Sequence, residues 1–205
     1  MSYPKRLFIA DVAGPPGALD EVGAWCKSVA EELSSTRGID RVGRYRKLND
    51  VRTLIAADVD DDSALTPLAK SFSSPPTSFS VATAVATQRG EQRRADAIGD
   101  ARECPLFYTV GFPVPAESVG QLGEWYDAEH APMLLRCPYW IMTRRFHIEQ
   151  SATQYWGSHL AVHYLSDIRA LRSPERDEAR QTAWRDRLAA QPWFRGKYNI
   201  CLQES

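Results

Sequence analysis

"VGAWCKSVAEELSSTRGIDRVGRYR", residues 22–46, can be laid on "LGEWYDAEHAPMLLRCPYWIMTRRF", residues 122–146, with Gly23-x-Trp25 over Gly123-x-Trp125 and, after one residue of drift, Arg44-Tyr45 over Arg145-Phe146. The two stretches fall at equivalent places in two element orders. In the first half, "RLFIADVA" (6–13) reads as a strand. A Gly/Pro break then leads to an amphipathic helix over about 18–34. "IDRVGRYRKL" and "VRTLIAADVD" follow as strands turning at Asn49-Asp50, then a short helix near 62–71, then the strand "FSVATAVATQ". In the second half, "LFYTVGFPV" (106–114) is a strand and 117–131 a helix. "YWIMTRRFHIEQ" and "WGSHLAVHYL" form a hairpin, a helix covers about 168–190, and "WFRGKYNICLQ" is the last strand. Both orders are βαββαβ.

A unit of this order is expected to fold as an antiparallel sheet with two helices on one face. The predicted domains are therefore 1–88 and 106–205. The charged run "RGEQRRADAIGDARECP" (89–105), which lacks an apolar face, is expected as a connector or a short solvated helix. The bare face of each sheet needs a cover. The other half supplies one, so that a single chain does what a homodimer does with two. A monomeric pseudo-dimer or a homodimer is expected.

Composition supports a folded α+β chain: of 205 residues, 43% are hydrophobic and 25% charged. With 25 basic and 26 acidic residues there is no strong field for phosphate backbones or anionic lipid. No nucleic-acid or membrane partner is expected. The first apolar run, in "MSYPKRLFIADVAG", breaks at Asp11, too short for a signal-peptide core or a bilayer span, and the expected location is cytoplasmic. Cys26, Cys104, Cys137 and Cys201 form no CxxC pair and read as packing residues.

The stretch "EWYDAEHAPM" (124–133) gathers three acids, two aromatics and a histidine before a proline. On a helix, Asp127 and His130 are neighbours three residues apart. Pro132 is expected to end the helix near His130, so that the helix dipole and Asp127 together favour the imidazolium. A histidine held by a carboxylate is a competent acid or base. A solvated acid beside a helix-capping histidine is the plainer reading of the same spacing. The repeat favours chemistry, because the first half has Lys27 and Ala30 where the second has Asp127 and His130.

Trp125, Tyr126, Glu129, His130 and Pro132, followed by Pro138-Tyr139 and Arg144-Arg145-Phe146, resemble the EthD-like branch of the dimeric α+β barrel superfamily. The resemblance covers the second half; the first half matches by element order alone. It implies tandem duplicated ferredoxin-like βαββαβ units whose antiparallel sheets pack as an intramolecular dimeric α+β barrel, with one working site per chain. It also implies chemistry on small, often aromatic or polyketide-derived molecules without a cofactor, by decarboxylases, dehydratases, cyclases, isomerases or quinone-forming monooxygenases. Distant relatives bind haem.

Tyr126 and Trp140 are expected as pocket walls. Alternation along the strand puts Arg144 and Arg145 on opposite faces, and Arg145 is taken as the substrate anchor. His159 and His163 share a strand face too far apart to hold one metal ion, although His147 could lie opposite His159. No metal site is expected. The charged stretch 173–188 reads as a solvated helix without a role. The leading expectation is a cofactor-independent lyase (decarboxylase or dehydratase) or isomerase acting on a small cyclic or aromatic carbonyl compound. His130 serves as acid/base, Asp127 as its orienter, and Tyr126 or Arg145 as enolate stabiliser. The alternative is a non-catalytic small-molecule or haem-binding protein of the same fold.

Overall fold

Val22, Cys26, Val29 and Leu33 recur at helical spacing, and all four are buried along one stripe of a sixteen-residue helix. Alternation in the flanking stretches produces strands instead. The computed structural model describes residues 3–48 and 50–204. In chain order the elements are β1 (Arg6–Ala13), α1 (Leu19–Ser34), β2 (Ile39–Lys47), β3 (Arg52–Val59), α2 (Leu65–Ser71) and β4 (Ser80–Arg93). Next come β5 (Leu106–Phe112), α3 (Val119–Trp125), α4 (Ala131–Leu134), β6 (Trp140–Ser151), β7 (His159–Leu165), α5 (Pro174–Ala179), α6 (Ala183–Ala189) and β8 (Lys197–Glu204). The two βαββαβ passes are present. The protein is α+β, and its strands pair in a closed antiparallel order, β1-β3-β2-β8-β5-β7-β6-β4.

Two compact units divide the residues. The first takes the chain up to Gln88 with Ile148–Tyr155 and the residues from Cys201 on; the second takes Arg89–His147 and Trp156–Ile200. In the first unit, α1 packs its stripe on Phe8, Val12, Ile55 and Val59 of the sheet, with Leu68 and Phe72 closing the core. Each such side chain contributes roughly 1.5–3 kcal/mol on burial. In the second, Leu122 and Trp125 of α3 and Leu188 of α6 cover Phe112 and Ala161 of the sheet.

The β6–β7 register sets His147 opposite His159, as alternation predicts. Three expectations are corrected. The charged run after Gln88 does not begin as a solvated helix: β4 continues through it to Arg93, and a single 3-10 turn forms at Ala101–Glu103. The helix predicted over 168–190 is three pieces: a 3-10 turn (Ile168–Arg172), α5 and α6. Ser173 and Thr182 interrupt it by capping backbone N–H groups with their hydroxyls. The helix predicted to stop at His130 runs on to Leu134. The Asn49-Asp50 turn lies in part outside the described residues, Asn49 being one of those left out. No described helix is long and apolar enough to cross a membrane.

Candidate active site

Pro132 decides the geometry. It has no N–H to give and its ring crowds the preceding turn, and the chain answers by widening that turn rather than ending the helix. Residues Tyr126–His130 form a π-helical turn in which Ala131 N–H reaches back five residues to Tyr126 O. The next bond in that series would come from Pro132 to Asp127 O. Gln92 Nε2 supplies the missing donor from β4, at 3.0 Å. In this wider turn three residues fall well short of a full circle, so Asp127 and His130 no longer share a face. Such turns recur at functional sites.

Asp127 therefore does not orient His130. Its carboxylate accepts from Arg145 Nη2 at 2.5 Å, and its side chain is half exposed. His130 instead donates from Nδ1 to the Ala179 carbonyl at 3.3 Å, one of the carbonyls that the end of α5 leaves without a helical partner. Its ring stacks on Trp125, centroids 4.2 Å apart. Glu129 fixes that stack by accepting from Trp125 Nε1 at 3.1 Å and from the Thr182 hydroxyl at 2.5 Å; Thr182 in turn caps α6. Since His130 Nδ1 holds the proton, Nε2 carries the lone pair. The expected imidazolium is corrected as well. The helix does not end at this residue, and burial pushes its pKa down to about 3; Arg185, Arg176 and Arg180 add to the depression and the Ala179 carbonyl opposes it.

His130, Tyr126 and Trp140 line one cavity of about 540 Å³ in the second unit. Tyr108, Phe194 and Tyr198 extend its aromatic walls. His163, from β7, lines the same cavity, fully buried, with its pKa well below the usual value because of that burial. Trp140 Nε1, a donor only, points at both Thr143 Oγ1 and His163 Nδ1, each at 3.3 Å. Thr143 Oγ1 also lies 2.9 Å from that nitrogen. These contacts assign His163 Nδ1 as an acceptor and put its proton on Nε2. The cavity thus holds two neutral imidazoles of opposite tautomer, one offering a lone pair and the other an N–H. Tyr108 stacks on His163 at 5.3 Å, and burial raises both its phenol and that of Tyr126.

Arg145, expected beside the substrate with His130, belongs with Asp127 to a second and more open cavity of about 710 Å³, also lined by Glu124, His159 and Trp184. Its guanidinium lies 5.7 Å over the Tyr126 ring. Arg144, on the opposite strand face, is buried beside Glu91 at 3.9 Å. The His147 and His159 rings approach to 4.9 Å. Among the described residues no third His, Cys, Asp or Glu completes a metal set with them.

Two parts of the cavity were not assigned from sequence. His163 appeared only as a strand histidine, because its partners Trp140 and Thr143 flank an irregularity in the β6 register. Arg172, Arg176, Arg180 and Arg185 also line the cavity. The first three recur every four residues, the spacing of one helix face, and that was the available signal.

No protein-family model matches the sequence, and no curated protein matches it. Solved structures do. An anthrone oxidase-like protein superposes with a TM-score of 0.69 at 15% identity, over 98% of this chain and 92% of its own. A candidate monooxygenase of Fusobacterium nucleatum gives 0.63 at 11%, over 100% and 94%. A staphylococcal regulator of pathogenesis gives 0.58 at 9%, over 98% and 100%. The fold is that of the dimeric α+β barrel proteins. At these identities the likeness carries the fold alone, and chemistry has to be argued from the cavity.

Proposed function

We propose that the chain is an enzyme that moves a proton on a small cyclic or aromatic carbonyl compound, without a bound cofactor. The observation that carries this reading is the pair of neutral imidazoles of opposite tautomer in one aromatic cavity. His130 Nε2 takes a proton from an acidic carbon conjugated with the carbonyl, while His163 Nε2–H donates to the oxygen as enolate charge develops. A neutral imidazole is a suitable donor to an enolate because it does not surrender its proton to it. The Trp125 stack and the Ala179 carbonyl hold the base in place. Returning the proton to another carbon completes an isomerisation, and expulsion of a β-hydroxyl as water, with the proton that His130 carries, makes the reaction a dehydration; in a decarboxylation the enolate arises by loss of CO2 and takes its proton at carbon. Asp127 and Arg145 are assigned a positioning role, bracing the π turn from its other side.

Anthrone is a direct probe, being a cyclic aromatic ketone with an acidic C–H. In D2O the protein is expected to accelerate deuterium uptake at that carbon, and His130→Gln to lower the acceleration by about 10²–10⁴-fold. Unchanged exchange in His130→Gln would sink the proposal.

The unprotonated His130 Nε2 supports a second reading, a haem-binding protein. The residues fit an iron ligand on that side, with arginines placed to meet carboxylates; His163 does not fit as a second ligand, since its Nε2 carries hydrogen. Haem titration followed by absorbance separates the readings: a stoichiometric spectral shift lost in His130→Gln would favour the binder.

A further inference from the structure

The cavity is lined by four arginines and by no Asp or Glu. Arg176 is half-buried and preorganised: its Nη1 donates to Leu171 O at 2.9 Å, and its guanidinium hydrogen-bonds the Tyr108 hydroxyl. Arg172 and Arg180 stand at the solvent side, one before and one after α5. Among the described residues no carboxylate pairs with Arg172, Arg176 or Arg180. None of the acids of the same segment lines the cavity, and Glu178 is paired with Arg136. Three unpaired cations at the mouth of an aromatic cavity repel one another, and low-dielectric walls focus their field inward. An anion relieves the repulsion, and a guanidinium meets a carboxylate with two parallel hydrogen bonds.

We propose that the molecule taken by this cavity is an anionic aromatic, its flat ring against Tyr108, Trp125, Tyr126 and Trp140 and its carboxylate or acidic phenol held by Arg172, Arg176 and Arg180. This deepens the reading of the cavity as a substrate site and rests on it. The anion also prepares the base. The charges of Arg176 and Arg180 oppose protonation of His130. Their neutralisation by the ligand makes Nε2 a better proton acceptor when a substrate is present.

The test compares naphthoate with naphthamide, the same ring without the charge, by calorimetry and by tryptophan fluorescence on the intact chain. Naphthoate is expected to bind about tenfold or more tightly than the amide. The gap should close in the Arg176→Gln/Arg180→Gln double variant and at high salt, with amide binding unchanged. Circular dichroism checks that the variant is folded, and Arg180→Gln alone, at an exposed position, should narrow the gap in part. Equal binding of acid and amide, or a gap that survives loss of the arginines, overturns the proposal. Displacement of naphthoate by inorganic phosphate at equal concentration would overturn its aromatic half. Because binding is read, failure here and failure of anthrone exchange are distinguishable.

Discussion

His130 and His163 are the same residue type in one cavity, yet a single contact each makes them opposites. A backbone carbonyl takes the Nδ1 proton of the first; an indole N–H occupies Nδ1 of the second. His163→Phe keeps a ring to stack on Tyr108 and removes the Nε2 donor, together with the Nδ1 acceptor of the Trp140 indole, which still reaches Thr143 Oγ1. It is expected to lower the turnover of anthrone exchange by about 10²–10³-fold with little change in KM, since the lost bond strengthens only as charge develops. An equal effect on KM would mean that His163 binds the ground state instead. Glu129 belongs to the same scale. Its carboxylate satisfies two donors, and hydrogen bonds to a charged group contribute about 1.5–3 kcal/mol each. It is a clamp on Trp125, which explains its place beside His130 without a chemical role.

The deciding element is the π turn. Pro132→Ala restores an N–H and allows a regular helix, which turns His130 away from Ala179 and toward Asp127. The variant is expected to melt at the same temperature or higher while losing at least about tenfold in exchange rate. A fall in both, or in neither, would show that the turn does not position the base. Most of the fold was legible at this scale. The 22–33 stripe, the alternating strands and the repeated βαββαβ order follow from periodicity, which a strand or helix cannot hide. The widened turn was not legible, because a proline that stops a helix and a proline that widens one leave the same letters. Nor was the break at residues 180–182, and a charged stretch read as one solvated helix concealed the arginines that face the cavity. His130, Tyr126 and Trp140, which line the cavity, stood out in the sequence because aromatic and polar types crowd there. Asp127 was misassigned as orienter because i, i+3 spacing means adjacency only in an α-helix.

Across the molecule, the four histidines all lie in the second unit. His130, half-buried, and His159, buried, are neutral, with pKa pushed down to about 3 and about 4 from an ordinary 6.5, and His163 is pushed well below its usual value. A base whose folded pKa lies below its unfolded one supports the fold above the unfolded value and withdraws that support as pH falls. Stability is thus expected to decline from about pH 6.5 toward pH 4, by about 1.4 kcal/mol per pH unit for each such histidine. Asp11, in the first unit, has the reverse sign: burial raises its pKa against the pull of Arg52, so protonation there favours the fold. Amide exchange should therefore lose protection first in residues 89–147 and 156–200, and His159→Gln should flatten the slope of denaturant stability by about one proton. Simultaneous loss in both units, or an unchanged slope, would contradict this account. The fixed imidazoles also make the cavity handed. Trp125 and the Ala179 carbonyl keep the lone pair on one side of a bound ring. On an unsymmetrical substrate with a prochiral CH2, one of the two hydrogens would leave and the other remain, so deuterium from solvent would enter with a single configuration.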